Sequence, residues 1–197
     1  MRRKTFDALA TMAGLVLAVV LAIGGGLLLW GHSVVNTDVH NQLAAQKIVF
    51  PAASSPEIKA LPAADATAMR AYAGQTMTTG AQAQTYADHF IAVHLTEIGG
   101  GKTYSQLSAE ALANPTDQKL QAQVDTVFKG TTLHGLLLNA YAFWQIGQLA
   151  LLASIIAFVA GAVVLILSGL GFWHLRRTGP ESEVFPKVAT KVPANAS

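Results

Sequence analysis

The chain has 197 residues, 52% of them apolar and 12% charged, with a formal charge of +2 and no cysteine. A soluble domain is typically about 25% charged, so this composition argues against an ordinary soluble protein, and the lack of cysteine excludes disulfides, thiolate metal sites and thiol chemistry. The charge is unevenly divided: residues 1–30 and 146–197 hold seven Lys/Arg and three acids, while residues 31–145 hold six and eight, and no basic patch interleaved with aromatics points to a nucleic-acid partner.

Residues 1–7 carry Arg2, Arg3 and Lys4, and Ala8–Trp30 follows with no Asp, Glu, Lys, Arg or His. Roughly 20 apolar helical residues cross a bilayer, and basic flanks stay in the cytoplasm. A first transmembrane helix over 8–30 is therefore expected. At 23 residues the run exceeds a signal-peptide core, and the residues after Trp30 make a poor cleavage site, so an uncleaved anchor is expected. Ala10, Gly14, Ala18, Ala22 and Gly26 recur every four residues, a small-residue ridge that lets another helix approach closely in lipid. The ridge packs either on the second span or on another protein. On the latter reading, Gly14→Leu and Ala18→Leu weaken association.

Residues 31–145 read as an extracytoplasmic helical domain. Val35, Val39 and Leu43 form an apolar stripe that carries the first helix onward until Phe50-Pro51 and Ser55-Pro56 stop it. Pro51–Pro62 reads as a loop and Asp65–Gln75 as a short helix. Thr79–Ile98 is the strongest soluble helix, with Ala83, Tyr86, Ala87, Phe90, Ile91, His94 and Ile98 on one face. Tyr104–Ala113 is the next, with Tyr104, Leu107, Ala111 and Leu112 inward; Asn114 caps a further helix whose face is Leu120, Val124, Val127 and Phe128. After Gly130, Leu136, Leu137, Leu138, Tyr141, Phe143 and Trp144 crowd the approach to a second apolar run. These exceed one helical stripe. One side should face the domain, coupling it to the membrane, and the other should meet headgroups or a protein partner. Leu136, Leu137, Tyr141, Phe143 and Trp144 are the candidate partner surface.

Ile146–Trp173 is the second transmembrane helix, with a shorter ridge of Ala153, Ala157 and Gly161. Trp30 and Trp144 mark one interface and Trp173 the other. His174, Arg176 and Arg177 follow, so both termini are expected in the cytoplasm of a bacterial cell with this multi-pass protein in its plasma membrane. Residues 174–197, rich in proline, read as a disordered cytoplasmic tail.

Chemical motifs are weak. Gly99-Gly100-Gly101-Lys102-Thr103 imitates the end of a phosphate-binding loop, but Thr96 stands where the pattern needs glycine and a helix precedes it in place of a strand, so no nucleotide is expected. His89 and His94, five residues apart, turn about 140° from each other on a helix and do not form a joint metal site. His94 instead sits on the apolar face and is expected to bond Glu97 or a neighbouring helix. No catalytic motif is present, and neither an enzyme nor a cofactor is expected. Tyr72, Tyr86, Phe90 and His94 are the candidates for a ligand pocket between helices.

The stretches Tyr86–Leu95, Gly100–Ser105 and Leu136–Trp144 carry a resemblance that extends over nearly the whole chain. The protein resembles a group of uncharacterised two-span membrane proteins from high-GC bacteria, some labelled aromatic ring-opening dioxygenases. That label implies an iron site, for which the residues supply no ligand set.

The expected architecture is thus an all-α membrane protein: two transmembrane helices with an extracytoplasmic helical bundle inserted between them. The leading expectation for function is a non-enzymatic accessory or scaffolding subunit of a cell-envelope membrane complex, through a protein partner or self-association in the bilayer. The alternative is an extracytoplasmic small-molecule or lipid-binding module anchored by two helices.

Overall fold

The computed structural model describes residues 3–177. The chain is mostly helical, and among the described residues no strand forms beyond an isolated bridge between Val49 and Thr76. Of the tail expected to be disordered over 174–197, residues 174–177 continue the last helix, and 178 onward lies outside the described residues. Two helices are long and apolar enough to cross a membrane: α1 (Arg3–Gln46) and α7 (Gln118–Arg177). Between them come α2 (Pro56–Ala60), α3 (Ala63–Arg70), α4 (Gly80–Tyr86), a π-helical turn (Ala87–Ile91), α5 (Ala92–Ile98) and α6 (Tyr104–Ala113). The chain divides into two compact units, one from the described parts of 1–29 and 152–197, the other from 30–151.

In the first unit α1 and α7 lie antiparallel. Thr11 meets Gly171, Gly14 meets Ser168, and Leu21 meets Gly161. A β-carbon at Gly14 would overlap the Ser168 hydroxyl, so the backbones approach as closely as glycine permits. Ser154, fully buried, donates its hydroxyl to the Gly25 carbonyl at 2.8 Å. Bonds of this kind join helices where no water competes.

The seam corrects the expected ridge. Gly14, Ala18 and Gly161 lie in it and Ala153 and Ala157 are half-buried, but Ala10, Ala22 and Gly26 are exposed. The reason is geometric. Four residues turn about 400° on a helix, about 40° past a full turn, so Ala10 to Gly26 winds through about 160° and cannot face one neighbour. The true seam on α1 is Thr11, Gly14, Ala18, Leu21 and Gly25, alternating steps of four and three. Gly14→Leu therefore tests the helix pair and not a partner. In a chain with no cysteine of its own, cysteines placed at Ala18 and Gly161 should crosslink. Gly14→Leu is expected to cut that yield several-fold and Gly26→Leu to leave it unchanged; equal yields from both would refute the seam.

The second unit is built on a core of Val39, Leu43, Phe50, Ile58, Leu61, Met69, Met77, Ala83, Ala87, Ile91 and Leu137. The stripe Val35, Val39 and Leu43 does carry α1 onward, but α1 ends at Gln46, before Pro51, where Lys47 takes a left-handed φ of 54°. The loop expected over Pro51–Pro62 contains α2, capped by the Ser55 side chain with Pro56 in its first turn. Thr79 and Thr103 cap α4 and α6, each in a reciprocal bond with the glutamine three residues on. Gly100 and Gly101, at φ 60° and 77°, make the turn between α5 and α6.

One expected boundary differs. Asn114 does not cap the last helix. Its side chain closes α6 by donating to the Glu110 carbonyl, while the Asp117 carboxylate accepts the Leu120 N–H at 2.9 Å and starts α7. Gly130 lies inside α7; a β-carbon there would overlap Leu95, so this glycine admits α5 against α7. On α6, Leu107 and Ala111 are buried as expected, but Leu112 is 81% exposed and Tyr104 stacks outside on Phe128.

Candidate functional site

The long helix expected over Thr79–Ile98 is interrupted. At the π turn the Ala92 N–H reaches back to the Ala87 carbonyl, five residues away. Such turns inside α-helices recur at functional sites. The wider turn keeps Ala83, Ala87 and Ile91 buried but rotates α5 relative to α4, and Ile98, expected inward, is exposed.

Tyr86, Phe90 and His94 are brought together here. The Phe50 ring packs tilted on Tyr72 (5.4 Å between ring centres) and edge-to-face on Tyr86 (5.3 Å), while Tyr86 packs tilted on Phe90 (4.9 Å) and Phe90 on His94 (4.5 Å). Tyr86, Phe90 and His94 line an open groove of about 240 Å³ against Leu95, Gly130 and Leu133. Tyr72 is not in it. Phe50 fills the space between Tyr72 and Tyr86, so the four residues do not enclose one pocket. Burial raises the Tyr86 hydroxyl above the ordinary tyrosine pKa.

His94 does not bond Glu97. Its Nδ1 lies 2.7 Å from the Phe90 carbonyl, on its own helix. A carbonyl only accepts, so Nδ1 carries a proton. The groove thus offers largely apolar walls and one imidazole. His89 and His94 do not share partners: His89 donates Nδ1–H to Asp65 of α3 at 2.7 Å. Asp88 instead pairs with His134 of α7 at 3.4 Å. These two Asp–His pairs tie α3 and α7 to the π turn. The sequence contains their residues, but their separations of 24 and 46 positions hide the pairing. Among the described residues no group of three or more His, Asp or Glu is placed to hold a metal.

The aromatic collar before residue 146 splits in two. Leu137 is buried in the core, and Tyr141 and Trp144, half-buried, stack on each other. Trp144, expected at the membrane interface, packs on Gly80, where a β-carbon would overlap its Cβ and Cγ. Leu136 and Phe143, seven residues apart on the opposite side of α7, are 60% and 59% exposed. The partner surface expected from five residues therefore retains only these two, joined by Ile146 three residues on, also exposed. Sequence reading also missed His32, whose Nδ1–H donates to the Gly147 carbonyl of α7 at 2.9 Å.

No family model, curated protein or solved structure matches the chain.

Proposed function

We propose that this chain is a multi-pass protein of a bacterial plasma membrane. On this reading residues 8–30 and 146–173 span the bilayer, residues 31–145 form an extracytoplasmic helical bundle inserted between the spans, and both termini are cytoplasmic. It serves, without chemistry of its own, as an accessory or scaffolding subunit of a cell-envelope complex. Three features support the membrane reading. Outside the seam the spans present large exposed apolar side chains, among them Leu15, Val19, Ile23 and Leu27 on α1. Such a surface is uncommon in water and ordinary in lipid. Basic residues flank the two apolar runs on the side expected to be cytoplasmic: Arg2, Arg3 and Lys4 before the first, Arg176 and Arg177 after the second. The pair is also sealed by glycine and serine, as helices in lipid are.

The scaffold reading is carried by one observation: Leu136 and Phe143 form an apolar face, close in sequence to the second span, that the protein's own core does not use. We expect it to pack on another membrane protein. Leu136→Ser with Phe143→Ser should leave helical content and membrane insertion intact and release the partner in crosslinking and mild-detergent purification from native membranes. Retention of the same partners by the double variant would count against this surface. A crosslinked dimer lost in the variant would identify the partner as a second copy.

The groove at Tyr86, Phe90 and His94 supports a second reading, an extracytoplasmic module for a small amphipathic molecule or lipid. Mass spectrometry of the same purified material separates the two: a retained small molecule favours the module and a retained protein the scaffold.

A further inference from the structure

Between residues 136 and 146, α7 presents two different sides. Leu137 and Trp144 turn into the core of the unit of 30–151. Leu136, Phe143 and Ile146 turn away from it and are exposed. Asn139, also exposed, stands among them. At about 3.6 residues per turn these four fall within about 80° of one another. Their spacing of three, four and three residues is the repeat by which one helix seats on another.

Lipid does not reach the whole of this face. On the spanning reading Trp173 marks the cytoplasmic interface, and from there α7 rises about 55 Å to Leu136. A bilayer with its headgroups is about 40–45 Å thick. Leu136 therefore stands clear of the membrane, and an apolar face left bare in water is uncommon, so protein covers it.

Charge and polarity then select the protein. Between Thr131 and Trp173 the chain has no Asp, Glu, Lys or Arg, and Lys129 just before is paired with Asp125 at 2.6 Å. In helix pairs of this kind, charges at the flanking positions set which chains associate. Here those positions hold Gly135, Ala140 and Ala142, so an identical face meets no like charge and comes close. Asn139 makes the choice specific. Its amide forms no hydrogen bond among the described residues, and a wholly apolar partner would bury it unsatisfied. An amide both donates and accepts. A twofold axis beside α7 sets a second Asn139 at the same height, and one asparagine within such a seam fixes the register of a parallel pair.

We propose that this face pairs with a second copy of the chain, α7 against α7 in parallel about a twofold axis, with the two Asn139 amides bonded to each other. The proposal names the partner of the surface that carries the scaffold reading, and it rests on that reading and on the spanning of the bilayer.

The test uses the full chain in native membranes. The chain has no cysteine of its own, so under mild oxidation the Asn139→Cys protein should form a disulfide-linked dimer. Facing seam positions come within the roughly 4.4–6.8 Å between Cα atoms that a disulfide needs. Gln145→Cys, exposed on another side of α7, should give several-fold less. Leu136→Ser with Phe143→Ser should abolish the Asn139→Cys crosslink. Asn139→Asp sets two carboxylates face to face at a position exposed in the single chain, so it should turn dimer into monomer in native mass spectra with helical content unchanged. Equal yields from Asn139→Cys and Gln145→Cys, or a dimer that survives Leu136→Ser with Phe143→Ser or Asn139→Asp, would overturn the pairing. No dimer from Asn139→Cys, together with loss of a different protein in the double serine variant, would overturn the pairing and leave the scaffold reading standing. No dimer and no partner lost would remove both.

Discussion

Phe50→Ala is expected to cost the unit of 30–151 about 3–5 kcal/mol, the range for truncating a buried aromatic. Phe50 is 1% exposed and its ring packs against both Tyr72 and Tyr86, the latter edge-to-face. Each such aromatic pair adds about 0.5–1.5 kcal/mol beyond area burial. Its backbone is held as well: the Phe50 N–H donates to the Gln75 carbonyl at 2.9 Å and its carbonyl accepts from Gly74. Removing the ring leaves a void that the fixed backbone cannot close. The thermal midpoint of the purified protein should fall by roughly 10 °C or more, at several degrees per kcal/mol. Leu112→Ala, at a position 81% exposed, is the control and should stay within about 0.5 kcal/mol. If the two variants melt alike, the aromatic stack does not hold this unit together.

Gly80→Ala should also be costly, although it adds a single methyl group on an α-helix, where alanine is normally favourable. Gly80 opens α4, and a β-carbon there would overlap Cβ and Cγ of Trp144. Those atoms sit at the root of the side chain, so rotamer adjustment cannot clear them and α4 must move off α7. Overpacking of this kind costs about 1–3 kcal/mol and should change the near-ultraviolet signal of Trp144. The pair should be strongly non-additive: once Trp144→Gly has removed both Cβ and Cγ, Gly80→Ala should cost much less than it does alone. Additivity within about 0.5 kcal/mol would show that the contact does not carry the effect.

Trp144 also illustrates where sequence reading went astray. A tryptophan beside an apolar run is a natural interface anchor, and nothing local distinguishes that from a tryptophan packed on a glycine 64 positions earlier. The same limit explains the ligand candidates. Helical spacing grouped Tyr86, Phe90 and His94 correctly on one face, but Phe50, the residue that fills the gap to Tyr72, comes from a loop whose position no periodicity reports. The π turn likewise has no sequence signature here, and it rotates Ile98 out of the face a regular helix would have given it.

The composition class, the two long apolar helices and the helical character of the rest were legible from the residues alone. They depend on interactions within a few residues or on run length against bilayer thickness, both of which are written locally. Packing settled the remainder: which small residues form the helix seam, which half of the collar is buried, and which aspartate each histidine meets. Those are long-range choices. A helix of 3.6 residues per turn offers several faces to any neighbour, and the neighbour, 100 or more positions away for Gly14 and Ser168, decides which face is used.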